Sequence, residues 1–289
     1  MSDTLANETI TTPSPKPGSP FQPAYRFIEF FSASSHVGKS MLAMFAAQLL
    51  TALGVKVRLV RIESKAAARS RDPKVVHIDS EDFAAAARLP GAEVAILRPV
   101  FELIEKAAKS DESVILIDWG GGLATHRAKI YAATRFDARL SELKMRGLSI
   151  VVTTSLTDRM NQASELIAQT RIIAPELDIA LLLNRRAGSF NFVEGTEEKR
   201  VYKDLIKAAR SLPIIKIPAV AGESWQACEA AGLSMTEVIN LSLDELMQRF
   251  GGENRYLVSA YQMHVAAYWK VAESEMLRLL GGPDANARR

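Results

Sequence analysis

The sequence predicts a three-layer α/β/α fold, a mainly parallel sheet with helices on both faces, followed by C-terminal helices. From Tyr25 to Pro218, short apolar runs alternate with segments of helical spacing. Most of those runs are continuous rather than alternating, which is the pattern of strands buried on both faces. From Glu223 onward the pattern is purely helical, with one break at Gly251-Gly252.

The elements follow in order. Residues 1–23 are rich in Ser, Thr and Pro and poor in large apolar groups, so a disordered arm is expected. Phe27 to Phe31 reads as a buried strand. The turn-rich stretch Ser32 to His36 leads into Gly38-Lys39-Ser40, and Met41, Met44, Phe45, Gln48 and Leu49 then recur at helical spacing. Gly54 marks the end of that helix. Val55 to Ile62 is a β-branched strand, and residues 64–73 form a charged, Ala-rich loop. Val75 to Ile78 and Val94 to Leu97 read as short strands, and Phe101 to Lys109 as a helix. Ser113 to Ile117 is a continuous apolar strand ending at Asp118. Ala128 to Met145 reads as one helix, Leu148 to Thr153 as a strand and Arg159 to Gln169 as a helix. Ile179 to Leu183 is a strand ending at Asn184. Val201 to Ser211 is helical, and Pro213 to Pro218 is the last strand. The final helix carries the stripe Leu257, Tyr261, Val265, Tyr268, Ala272, Met276 and Leu279, whose spacings of three and four make one face.

Composition excludes several classes. The chain has 289 residues, nearly half of them apolar, enough for a sizeable core. A net charge of +3 does not indicate nucleic acid. The basic stretch Arg58, Arg61, Lys65, Arg69, Arg71 and Lys74 lacks the interleaved aromatics of a nucleic-acid groove. The single cysteine, Cys228, excludes an internal disulfide and a Cys-cluster metal site, and it fits a reducing, cytoplasmic setting. His36, His77, His126 and His264 lack zinc spacing. No apolar run has membrane-spanning length, and no signal pattern opens the chain.

Three features carry chemistry. Strand, loop, Gly38-Lys39-Ser40 and helix, in that order, is the context of a phosphate-binding P-loop. Its backbone N–H groups and the helix N-terminus converge on an anion. Lys39 would reach the β/γ-phosphates and Ser40 would ligate Mg²⁺. The plainer reading is a chance Gly-Lys-Ser at a helix start, and Ala33 stands where the usual pattern has glycine. The second feature is Asp118-Trp119-Gly120-Gly121-Gly122. A carboxylate at the end of a buried strand needs a charged partner, and beside a P-loop that partner is the Mg²⁺ shell. The glycines let the following loop pass close to a phosphate. The third is Asn184, whose amide can recognise adenine, although a turn asparagine is equally ordinary. His36, Arg127 and Lys129 read first as solvated residues, each also able to face phosphate. Trp225, near Cys228, reads as packing.

Together Gly38-Lys39-Ser40, the strand ending at Asp118 with its glycine loop, Leu181-Leu182-Leu183-Asn184 and Ile214-Ile215-Lys216-Ile217-Pro218 resemble MinD/ParA-type ATPases. Within these the layout is most similar to conjugal-transfer proteins of the TraL type. The resemblance implies a P-loop nucleotide-binding domain over residues 24–232, a helical segment packed on it over 233–282, and a tail over 283–289. It implies ATP and Mg²⁺, bound by Ser34, Ser35, His36, Val37, Gly38, Lys39, Ser40 and Met41, with Asn184 and Pro218 around adenine. Lys39, Glu63 and Asp118 would be catalytic, and Ser40 and Asp118 would hold the metal. A nucleotide-dependent homodimer, a protein partner and partner-stimulated hydrolysis are also implied, in plasmid partition, mobilisation or conjugal transfer. A DNA partner has no support from charge.

The sequence departs from that family at Ala33, Ser34, Ser35 and His36, where its loop reads Gly-Lys-Gly-Gly. Ser34 replaces the lysine that reaches the partner subunit's nucleotide. The acidic pair after the second strand becomes Arg61 and Glu63. Loss of a transition-state cation lowers the expected rate of hydrolysis. The same loop also resembles the dethiobiotin and cobyric acid synthetases, which phosphorylate a carboxylate with ATP. A non-hydrolysing nucleotide-binding scaffold is the third reading.

Overall fold

The computed structural model describes residues 21–63, 75–86 and 91–281. Seven strands form one parallel sheet: β1 (Phe27–Phe31), β2 (Val57–Glu63), β3 (Val75–Asp79), β4 (Val114–Trp119), β5 (Gly147–Thr153), β6 (Asp178–Asn184) and β7 (Ile214–Ile217). Their spatial order is β3-β2-β4-β1-β5-β6-β7, so β1 lies at the centre. Its five residues are all buried, as a central strand covered on both faces requires.

Alternate residues of each strand feed two cores. Phe27 and Phe31 face one side and Ile28 and Phe30 the other. On the first side lie α2 (Ser80–Ala86), α3 (Ala92–Ile96), α4 (Arg98–Lys106), α5 (Ala124–Thr134), α6 (Phe136–Glu142), α7 (Thr157–Ile173) and α8 (Glu197–Ala208). On the second lie α1 (Lys39–Ala52) and the C-terminal helices α9 (Ser224–Ala230), α10 (Met235–Asn240), α11 (Leu243–Arg249) and α12 (Arg255–Leu280). Capping boxes start α10 at Ser234/Glu237 and α11 at Ser242/Glu245. Each side chain there satisfies a backbone N–H that the helix itself leaves open.

Four expectations change. Val94 to Leu97 is not a strand: most of it lies in α3, and Pro99 opens α4 immediately afterwards. Proline suits the first turn of a helix because its missing N–H has no intrahelical role there. The expected helix over 128–145 is two helices. Arg135 takes a left-handed backbone, φ 48°, which turns Phe136 back onto Tyr131 (rings stacked, centroids 4.3 Å apart) and Phe27 (5.0 Å). The α12 stripe opens at Val258 rather than Leu257, which is exposed. Ordered packing begins before residue 24, because Phe21 rests against the second core. Residues 1–20, the tail 283–289 and the loop 64–73 lie outside the described residues.

The helix α12, about 39 Å long at 1.5 Å per residue, is built into the core. Tyr268 and Trp269 meet Phe45 of α1 edge to face, at 5.7 and 4.8 Å. Glu275 accepts from the Lys216 N–H, and Arg278 donates to the Ile214 carbonyl. These side chains occupy the free edge of β7, where an unpaired strand would otherwise be open to another chain. At the opposite end of the sheet from the P-loop, the Ala24 N–H donates to the Leu280 carbonyl at 2.9 Å.

Candidate nucleotide site

The site lies where the carboxyl ends of β1, β2, β4 and β6 meet the N-terminus of α1. In parallel α/β sheets, ligands bind at this edge. The loop between β1 and α1 needs two left-handed residues, His36 (φ 61°) and Gly38 (φ 88°). Glycine at 38 is required twice over, because a Cβ there would stand 2.4 Å from Asn184 Nδ2.

Asn184 is 1% exposed, and both ends of its amide are used: Nδ2 donates to the Val37 carbonyl at 2.9 Å, and Oδ1 accepts from the Arg186 N–H at 3.2 Å. These two bonds brace the loop against the end of β6. The Val37 side chain is buried in the core and contributes only its backbone to the loop.

Lys39 is also buried. Its Nζ donates to the Ser32 hydroxyl at 3.0 Å and the Ser34 carbonyl at 2.7 Å. Burial pushes its pKa down to about 8; Asp118 opposes that shift and Arg159 adds to it. Ser34 points inward, donating to the Gln162 amide oxygen on α7, which also accepts from Arg159 Nη1 at 3.4 Å. Ser34 thus faces its own α7.

A second cluster follows from strand register. Arg61 of β2 pairs with Asp118 of β4, so Arg61, Glu63 and Asp118 share the face that looks toward α1. Arg61 Nη2 lies 3.0 Å from Glu63 Oε2, and Arg61 Nε lies 3.7 Å from Asp118 Oδ2. His77 Nδ1 is 3.4 Å from Glu63 Oε1. Burial raises the Asp118 pKa, against the Ser40 hydroxyl, Arg61 and Lys39, which lower it. Glu63 is raised by burial and by Asp118, against Arg61 and His77. Asp118 Oδ1 is buried with no hydrogen-bond partner, on a carboxyl group that the Ser40 hydroxyl also engages. An orphaned buried acceptor next to a hydroxyl at a helix N-terminus fits a divalent cation.

Gly120 and Gly121 fit the loop after β4 against its neighbours. A Cβ at Gly120 would lie 2.4 Å from the Ile62 carbonyl, and one at Gly121 would lie 2.7 Å from Ser35 Cα. The loop therefore rests directly on the P-loop.

A cavity of about 620 Å³ opens over these groups, within the usual range for a small-molecule site. Ser35, His36, Gly38, Lys39, Ser40, Met41 and Glu63 line the end at the start of α1. Pro218, Val220, Trp225, Gln226 and Glu229 line the other, with Asn184 and Arg186 between. Trp225, read from sequence as packing, is a wall of the cavity. Its position at the start of α9, just past the Pro218 turn, is the signal that places it there.

Arg127 and Lys129 supply no cation here. Lys129 is exposed on α5. Arg127 is buried beneath the sheet, where Glu29 accepts from Arg127 Nε (3.0 Å), Ser149 Oγ (2.5 Å), Tyr131 Oη (2.6 Å) and Trp119 Nε1 (2.7 Å). Burial raises the Glu29 pKa, but the charge and hydrogen bonds of Arg127 outweigh it and leave the carboxyl below its usual value.

The parallel sheet with a P-loop after its central strand is the architecture of a P-loop NTPase. No protein-family model matches the chain, and no curated protein does. Among solved structures, the chain is similar to an ATP complex of a McdA variant from Cyanothece (12% identity, 83% of this chain and 97% of that chain, TM-score 0.46). It is also similar to MinD in a MinC:MinD cell division complex from Aquifex aeolicus (14%, 84% and 96%, 0.45). A third is the cobyrinic acid a,c-diamide synthase of Mycobacterium smegmatis with bound ADP and magnesium (15%, 72% and 96%, 0.43).

Proposed function

We propose that this protein binds ATP in the cavity over Lys39 and works as a nucleotide-dependent switch of the MinD/ParA kind, with a protein partner, in the cytoplasm. One observation carries the reading: a buried lysine, a left-handed glycine and a helix N-terminus converge at the floor of a nucleotide-sized cavity. Lys39 would leave the Ser34 carbonyl for the β/γ-phosphates. Ser40 and Asp118 would hold Mg²⁺, which when bound neutralises phosphate charge. Trp225 and Pro218 border the end where the base would lie.

The switch would be the Gly120-Gly121 loop, seated on Ser35 and so displaced when phosphate fills the cradle. Residues 24–232 would carry this machinery, and 233–282 would buttress α1. The inward Ser34 supports slow unassisted hydrolysis, below the range of about 1–10³ s⁻¹ of typical enzymes. A homodimer and a role in plasmid partition or DNA transfer belong to the same proposal.

Calorimetry with ATP tests it. Lys39→Ala is expected to lose at least about tenfold in affinity, since a charge-assisted contact is worth about 1.5–3 kcal/mol. Equal affinity in wild type and variant refutes the P-loop reading.

A further inference from the structure

One corner of the cavity carries a fixed cation beside the carboxylates that would face Mg²⁺. Arg61 lies behind the cavity wall, between the Asp118 and Glu63 carboxylates, 3.7 and 3.0 Å away. Its side chain is 12% exposed, and those of Asp118 and Glu63 are 4% and 13%. In such a setting charges are screened weakly, so the guanidinium cancels much of the field these carboxylates would present to an arriving cation. Register fixes the arrangement: Arg61 and Asp118 are partners on adjacent parallel strands, and Glu63 follows two residues on, on the same face. The arginine cannot be neutralised by a proton shift.

We propose that Arg61 is a built-in counter-ion of the phosphate site, taking over much of the charge compensation that a divalent cation gives, so that nucleotide binds nearly as well without Mg²⁺ as with it. The inference rests on the ATP-binding reading above. In a carboxylate site without such a partner, Mg²⁺ must first quench the repulsion between the acids and the triphosphate. Here Arg61 and Lys39 together offset Asp118 and Glu63 before any ligand arrives. Mg²⁺ still has the open Asp118 Oδ1 and the Ser40 hydroxyl to bind, but it no longer has to quench the carboxylates before the triphosphate can enter.

Calorimetry of ATP binding in excess EDTA and in millimolar Mg²⁺ tests this on the full chain. Wild type is expected to differ by less than about threefold between the two buffers. Arg61→Gln is expected to lose at least about tenfold in EDTA and to recover most of it in Mg²⁺, a step equivalent to about 1.4 kcal/mol. Arg61→Lys keeps the charge and is expected to remain near wild type; it also serves if the Gln variant does not fold. A wild-type affinity that collapses in EDTA overturns the inference while leaving ATP binding intact. Loss in Arg61→Gln that Mg²⁺ does not restore also overturns it, because that is the mark of a purely structural ion pair. No ATP binding in either buffer removes the underlying reading, and the inference with it.

Discussion

Replacing Arg127 by alanine strands a carboxylate in the core. Glu29 is fully buried, and Arg127 is 1% exposed. Removing one partner of such a pair costs about 3–5 kcal/mol, because the remaining charge has neither water nor counter-ion. The guanidinium also lies over the Phe31 and Tyr131 rings, 3.9 and 4.5 Å from their centroids, and its loss adds about 1–2 kcal/mol. The expected total, about 4–7 kcal/mol, is a large share of the roughly 5–15 kcal/mol that holds a domain folded.

Urea unfolding at neutral pH measures this, and its pH dependence identifies the cause. In wild type the Glu29 pKa is lowered from 4.5, so its contribution is present above that value and is lost as pH falls through the lower folded value. In Arg127→Ala, burial acts unopposed and the carboxyl takes up a proton more readily. The gap between the two proteins is therefore widest at neutral pH and narrows toward about pH 4. The paired change Glu29→Gln/Arg127→Met removes both charges and is expected to restore at least about 2 kcal/mol of the loss. A deficit for Arg127→Ala below about 1 kcal/mol, or one independent of pH, refutes the reasoning.

Three further outcomes are expected. Because the Lys39 pKa is about 8 in the free protein, ATP affinity should fall as pH rises above that value, and binding near pH 9 should take up protons. Calorimetry in two buffers of different ionisation enthalpy reads this uptake, which is absent in Lys39→Ala. Gly38→Ala forces a Cβ to within 2.4 Å of Asn184 Nδ2 at φ 88° and should weaken ATP binding at least about tenfold; unchanged affinity counts against the brace. Trp269→Ala removes the ring packed on Phe45 and should lower stability by about 3–5 kcal/mol in urea; a loss under 1 kcal/mol means that α12 is not part of the core.

Much of the fold was legible because β4 and β6 carry continuous apolar runs, and β1 one broken only by Glu29, that only a doubly covered sheet accommodates. Val94 to Leu97 looked the same over four residues, and at that length periodicity cannot tell a strand from one helical turn. The break at Arg135 left no glycine or proline in the sequence, since its left-handed turn is imposed by the packing of Phe136. At the site, Lys39, Ser40, Glu63 and Asp118 were placed by motif and strand ends. Asn184 was placed by its strand end, but its bonds to Val37 and Arg186 were not legible, because an amide's partners depend on the backbone that meets it in space. Glu29 was the missed clue: one acid inside Phe-Ile-Glu-Phe-Phe demands a buried cation, and Arg127 answers it from nearly a hundred residues away.

The hydrogen bond from Ala24 to Leu280 gives the fold an unusual freedom of connection. The first strand begins beside the end of the last helix, on the side of the sheet remote from Lys39. A short linker between them can close the backbone into a ring, and new termini can then be cut in an exposed turn such as Gly251-Gly252. The order of elements along the gene is then one of several that specify the same object. A reporter attached at residue 24 or residue 281 is carried behind the sheet, where it leaves the nucleotide cavity clear.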